Sequence, residues 1–225
     1  MKTNYGVPYQ GSKNRLAERI IDKLPAGERF VDLFAGGCAM THAAIASGKY
    51  KRILCNDKYP YGLRLFKGAI DGEFNNPKYF RWIGREDFER ERDTDPFVKL
   101  CFSFGHGGMR YMYNREIEPY KRAAHNAIVF DNWSEFKELC PECADEVEQK
   151  LNGMPHDNWA EIDARRLDFG RAFGKCVQEK SLDSNPLYRS LQPHHTTGTY
   201  QHVLTRLVSL EGLTRPVSLE GLIRF

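Results

Sequence analysis

The stretch RFVDLFAGGCAM at residues 29–40 constrains the fold of this chain more than any other. An apolar run long enough for one buried strand meets an acid at Asp32 and an aromatic at Phe34. It then turns on two adjacent glycines, Gly36 and Gly37, and enters an alanine-rich segment that reads as a helix. A strand feeding a glycine turn and a helix gathers backbone N–H groups at the carboxyl edge of a sheet. The glycines let a ligand approach the backbone where a Cβ would collide.

The neighbouring segments extend the pattern. Leu16, Ile20, Ile21 and Leu24 recur at helical spacing over 14–24, with Ser12 as the expected N-cap, and Pro25-Ala26-Gly27 ends that helix. Residues 30–34 read as a strand, 38–47 as a helix stopped by Gly48, and 52–55 as a second strand. Asn56-Asp57 follows, then a helix to about Ile70. Helix, strand, helix, strand, helix is the start of a right-handed α/β arrangement, here a doubly wound, Rossmann-like sheet. With 225 residues the chain is one domain, or one domain with a large insertion. Beyond Asn75 the alternation stops, and 75–200 reads as charged, aromatic and irregular.

Asp57 stands about twenty residues past Gly37, the spacing at which an acid grips ribose hydroxyls. Gly36-Gly37-Cys38-Ala39-Met40-Thr41 lacks the third glycine that a dinucleotide pyrophosphate needs. A nucleoside cofactor without phosphates, such as S-adenosylmethionine, fits better. Asp32 then takes the methionine ammonium and Phe34 flanks the adenosine. The plainer alternative makes Asp32 a turn cap and Phe34 a core residue.

Composition excludes little. Lys and Arg number 33 against 30 Asp and Glu, so a nucleic-acid surface would have to be a local basic face. No signal-peptide pattern or membrane-length apolar run is present, which predicts a cytoplasmic protein with no membrane partner. The six cysteines are scattered and read as free thiols in a reducing compartment. Cys140 and Cys143 have zinc-knuckle spacing, and His156 follows, but no second pair completes a site, so no metal is expected. His194-His195 receives no role.

PYQGSKNRLAERI, then FVDLFAGG, then LCNDKY resemble, in order and spacing, the start of the Dam-like, alpha-group N6-adenine DNA methyltransferases, phage members above all. The resemblance implies an S-adenosylmethionine pocket made from Tyr9, Lys13, Asp32, Phe34, Gly36, Gly37, Asn56 and Asp57, with Asp57 on the ribose. Gly-Gly-Cys where the family has Gly-x-Gly is a mild departure. It further implies double-stranded DNA as partner, a place in phage or restriction-modification biology, and a target-recognition region inserted after the first strands. FVKLCFSFGHGGMRYMYNREIEPYKRA at 97–123 resembles the family's apolar helix and its Gly- and Asn-rich loop. His106, Met109, Arg110 and Tyr111 offer a wedge, a guanidinium and a ring to a base beside an extruded nucleotide, and Arg115, Lys121 and Arg122 add phosphate contacts. A solvated loop with Met109 and Tyr111 tucked into the core is the other reading.

The family's D-P-P-Y motif, which would hold the adenine amine and stack the base, has no counterpart. NPLY at 185–188 is the nearest, making Asn185 and Tyr188 weak catalytic candidates; DPF at 95–97 lies ahead of the recognition loop. The tail carries a tandem nine-residue repeat, LTRLVSLEG and LTRPVSLEG, at 204–221. These features predict a cofactor-binding part at 1–74, a recognition region at 75–200 and a low-complexity tail at 201–225. They also predict a truncated, split or degenerate enzyme whose catalytic half comes from a second polypeptide. The alternatives are an inactive cofactor- and DNA-binding module, a small-molecule methyltransferase, or an NAD-binding Rossmann enzyme.

Overall fold

In the computed structural model, which describes residues 4–191, β1 (Gly27–Asp32) and β2 (Tyr50–Cys55) pair in parallel. Phe30 stands opposite Ile53, and Asp32 opposite Cys55. Both strands begin earlier than their apolar runs suggest. Gly27 opens β1 rather than closing the helix before it, and the added residues, Arg29 and Lys51 among them, point to solvent.

Helix α1 (Asn14–Lys23) precedes β1, and α2 (Ala39–Ser47) links the strands. Lys13, not Ser12, occupies the N-cap of α1; Ser12 supports the same turn by accepting a bond from the Asn14 N–H at 3.3 Å. α1 buries Ala17 and Ile21 and packs on α2, whose buried Ala39, Ala43 and Ala44 allow a close approach. α3 (Tyr61–Ile70) follows β2, and α4 (Arg85–Glu91) and α5 (Pro96–Cys101) belong to the same compact unit. Asp95 caps α5 by accepting from the N–H groups of Phe97 and Val98, ahead of Pro96 at the first helical position. Phe97 then stacks on Phe74 and meets Phe102 edge-on.

Among the described residues the sheet has these two strands only. The outward side chains Val31 and Leu33 are exposed, as is the stripe Leu16, Ile20 and Leu24 on α1.

This first unit consists, among the described residues, of 4–74 and 85–111; the second is 75–84 with 112–191. The second is helical rather than irregular: α6 (Glu118–Phe130), α7 (Ser134–Leu139), α8 (Pro141–Leu151), α9 (Trp159–Glu179) and α10 (Pro186–Leu191). Its core holds Phe136, Phe169 and Phe173, with ring centroids 5.1 to 6.0 Å apart. The buried face of α9 includes a charged residue, Arg165, only 1% exposed, which breaks the apolar period in the sequence.

The expectation of six free thiols is corrected here. Packing of α8 on α9 brings Cys143 and Cys176 to a Cα separation of 5.8 Å, and they form a disulfide. The sulfur of Cys143 is therefore committed, and the zinc-knuckle spacing reflects one helical turn from Cys140. The nine-residue repeat and His194-His195 lie outside the described residues. Among the described residues no helix is long and apolar enough to cross a membrane.

Candidate functional site

The site grows from the carboxyl ends of β1 and β2. The Asn56 N–H donates to the Asp32 carbonyl at 2.8 Å, and the Ala35 N–H donates to the Asn56 carbonyl at 2.9 Å, extending the ladder into the turns. The Asn56 side chain reaches back to the Leu33 carbonyl. Asp57 closes the arrangement: Oδ2 accepts from the Gly36 N–H at 2.8 Å and Oδ1 from the Tyr59 N–H at 2.9 Å. The acid after β2 thereby holds the glycine turn after β1.

Gly36 and Gly62 are among the glycines required here. Gly36 has φ +50°, and a Cβ on it would stand 2.9 Å from the Tyr9 ring. Gly62, in the first turn of α3, lies so close to the Gly36 carbonyl oxygen that any Cβ would collide with it. The Tyr9 ring lies flush on the Gly36-Gly37 turn, and the Val7 N–H donates to the Gly37 carbonyl at 2.8 Å. Cys38, where the Gly-x-Gly pattern has its second glycine, adopts the left-handed conformation at φ 59° as N-cap of α2. Its thiol shares a hydrogen bond with Cys55, and that bond and burial hold its pKa well above the usual thiol value. It is a packed group, not an activated nucleophile.

Asp32 is half-buried, and desolvation raises its carboxyl pKa even though Thr41 donates to Oδ2 at 2.8 Å. The Thr41 and Phe34 N–H groups bond it as well, and a carboxylate that burial still holds above its ordinary pKa suits a cationic ligand group. Phe34 projects into solvent, 89% exposed, which rules out the core reading of this side chain. Lys13 is exposed, and its ammonium donates to the Gly11 carbonyl.

In the same unit, residues 103–111 form a narrow loop. Ser103 and Tyr111 bridge, and the Phe104 N–H donates to the Arg110 carbonyl at 2.8 Å. The Gly108 N–H donates to Ser103 Oγ, and the Arg92 guanidinium donates to the Met109 carbonyl at 2.6 Å. His106 takes a left-handed backbone, φ 57°, pinned by Nδ1 at 2.9 Å from the Leu100 carbonyl. The loop holds up Met109, 73% exposed, with Arg110 also exposed. Tyr111 corrects the expectation of a base-contacting ring: it is buried, 5.7 Å from the Phe88 ring centroid and beneath the Arg85 guanidinium.

The remaining candidates fall in the second unit. Arg115 is exposed before α6, and Arg122 is exposed but ion-paired with Glu135 at 3.1 Å. Burial lowers the Lys121 pKa to about 8. Asn185 and Tyr188 begin a helix instead of ending a strand. The Asn185 carboxamide oxygen accepts from the Leu187 and Tyr188 N–H groups, and the Tyr188 hydroxyl accepts from Gln178. That capping role accounts for N-P-L-Y without catalysis.

Sequence reasoning missed Thr41, Gly62 and Phe104. Thr41, a hydroxyl in the first turn after the glycines, and Gly62, a glycine opening the next helix, left readable signals. The exposure of Phe104, 63%, left none, since an aromatic in an apolar run reads as core.

No curated protein and no solved structure matches the chain. The model of one protein family does, across residues 9–139, which takes in the strand ends, the glycine turn and the 103–111 loop; its description is D12 class N6 adenine-specific DNA methyltransferase.

Proposed function

Because the chain belongs to the D12 class of N6 adenine-specific DNA methyltransferases, we propose that its first unit binds S-adenosylmethionine at the glycine turn and adenine-containing double-stranded DNA through the 103–111 loop. The observation that carries this reading is the clasp of Asp57 on Gly36, which fixes the buried glycine turn between the strand ends that carry Asp57 and the desolvated Asp32.

Asp32 is the counter-charge for the methionine ammonium, and Phe34 lies along the adenosine. Asp57 and Asn56 hold the ribose side, and Tyr9 walls the turn, with Lys13 at the rim. When bound, the cofactor supplies an electrophilic methyl group. Met109 and Arg110 meet the duplex and His106 shapes the loop; in the second unit, taken by itself, Arg115, Lys121 and Arg122 are the candidates for phosphate contact. The acceptor that polarises the adenine amine lies on a further strand that pairs with the outer edge of β1. Among the described residues β1 pairs with β2 alone, which supports this reading. We place the chain with the phage-type, Dam-like members, acting in the cytoplasm of a bacterial host. The capping role of Asn185 favours a second reading, in which this chain binds cofactor and DNA without transferring the methyl group itself.

Calorimetry tests the proposal. S-adenosylmethionine binds and NAD does not, and a duplex is retained with an affinity that falls steeply with salt. Binding of NAD alone would return the chain to the dehydrogenase-type reading, and absence of DNA retention would favour a small-molecule methyltransferase.

A further inference from the structure

The geometry points to Gln10 as a positioning residue that couples occupation of the glycine turn to the posture of the 103–111 loop. The inference rests on the reading of these two places as cofactor and DNA sites.

Tyr9 and Gln10 are consecutive, and each touches a different functional element. Tyr9 lies on the turn: a Cβ on Gly37 would stand 2.5 Å from Tyr9 Cβ and 2.8 Å from the Val7 carbonyl oxygen. Gln10 lies on the loop: a Cβ on Gly107 would stand 2.7 Å from Gln10 Oε1. The carboxamide therefore rests where only a glycine leaves room.

Both ends of this connection are fixed. Upstream, the Gly6 N–H donates to His42 Nδ1 at 3.0 Å, the Tyr5 N–H donates to Asn14 Oδ1, and the Tyr5 ring meets His42 edge-on. The strap can therefore yield locally at Tyr9-Gln10 without releasing its anchor. On the loop side, Gly107 is flanked by His106, bonded to Leu100, and Gly108, bonded to Ser103. Pressure from Gln10 is thus delivered to the short arc that carries Met109 and Arg110. Gly36 and Gly37 are buried against Tyr9, so a ligand reaching that turn must border or displace the ring, and any shift of that residue moves Gln10 against Gly107. Two elements in contact with one two-residue strap form a physical route for linkage between ligands.

The contact can be broken from either side without straining the fold. Gln10 is exposed, so Gln10→Ala removes only the carboxamide. Gly107 has φ −88°, which any residue adopts, so Gly107→Ala displaces the flexible Gln10 end and leaves the backbone unstrained. The experiment measures duplex affinity by fluorescence anisotropy with and without sinefungin, a non-transferable analogue of the cofactor, and sinefungin affinity by calorimetry. The wild-type chain binds DNA about fivefold or more tighter with the analogue present. Gln10→Ala and Gly107→Ala each bring that ratio to about one, and the double variant falls no further. Gln10→Ala, outside the loop, holds sinefungin affinity and DNA affinity without the analogue within about twofold, whereas Gly107→Ala is read by the ratio alone. A ratio that survives both substitutions overturns the inference, as does a wild-type ratio of one with both ligands bound. Failure of the wild-type chain to bind either ligand overturns the underlying reading as well, and is recognised by the missing binding signal itself.

Discussion

Asp57 holds Gly36: the carboxylate that follows β2 accepts the N–H of the glycine that follows β1, at 2.8 Å, across 21 residues of sequence. One side chain thus sets the backbone against which a nucleoside would lie. Asp57→Ala frees the turn as well as removing a ribose acceptor. S-adenosylmethionine affinity should fall at least about tenfold, the scale of one charge-assisted hydrogen bond. Asp57→Asn, which keeps an oxygen for Gly36, should lose less by calorimetry.

Asp32 should make S-adenosylmethionine binding pH-dependent. Its carboxyl pKa is raised above 3.8 in the free protein, so the ion is disfavoured there and favoured once a cation sits beside it. Affinity should weaken as pH falls through the raised value, before the ordinary carboxylate range is reached, and binding below that point should take place with proton release. Calorimetry in buffers of different ionisation enthalpy reads the proton count; Asp32→Asn should bind weakly at every pH.

His125 gives the second unit an acid limit. Its ring is buried, Nε2–H donates to the Phe80 carbonyl at 2.8 Å, and desolvation lowers its pKa from 6.5 to about 4. Below pH 6.5 the unfolded chain takes up a proton that the folded chain refuses until about pH 4. Stability is complete above that window and declines through it by about 3 kcal/mol. Urea midpoints measured from pH 7 to 4 should show the decline, and His125→Gln should flatten it.

Arg165 ties three segments together. Its guanidinium donates to the carbonyls of Ala127, Ile128, Leu151 and Met154 and to the Asp131 carboxylate, capping the ends of α6 and α8 from within α9. Arg165→Met removes this donor from all four carbonyls, of which Leu151 keeps the Met154 N–H, and should cost about 3–5 kcal/mol. Arg165→Lys should recover little, because an ammonium has three donors and no fork. Chemical denaturation followed by tryptophan fluorescence measures both.

Reduction of Cys143–Cys176 should lower the stability of the second unit by about 2–4 kcal/mol, the loop-closure scale for 33 residues. Cys176→Ser should reproduce the loss without reductant and should leave S-adenosylmethionine affinity unchanged.

The first unit was largely legible because its signals are local. Apolar runs ending in acids, the Gly36-Gly37 turn and the alanine stripe of α2 each mark an element within a dozen residues. Strand starts were not legible, since Arg29 and Lys51 face solvent and carry no apolar signal. The helices after Asn75 escaped because their buried faces hold polar residues whose partners are distant in sequence. Arg165 reaches carbonyls up to 38 residues away, and His125 reaches Phe80 at 45. Residue type also misled at the loop, where Phe104 faces out and Tyr111 faces in. Nothing in their chemistry separates them, and the narrow turn between Ser103 and Tyr111 decides which ring is covered.

The chain crosses between its two units more than once: residues 75–84 depart from the first, 85–111 return to it, and 112 departs again. A protease nick or a stop codon at any single point therefore releases neither unit free of the other's residues. A fragment ending at residue 74 loses Phe97 from its place against Phe74 and the whole loop that carries Met109. Isolating the first unit calls for excision and splicing, with 75–84 replaced by a short linker and the fragment ended after 111. The same threading delays its completion during synthesis, because the segment that closes its core emerges from the ribosome only after part of its neighbour has already appeared.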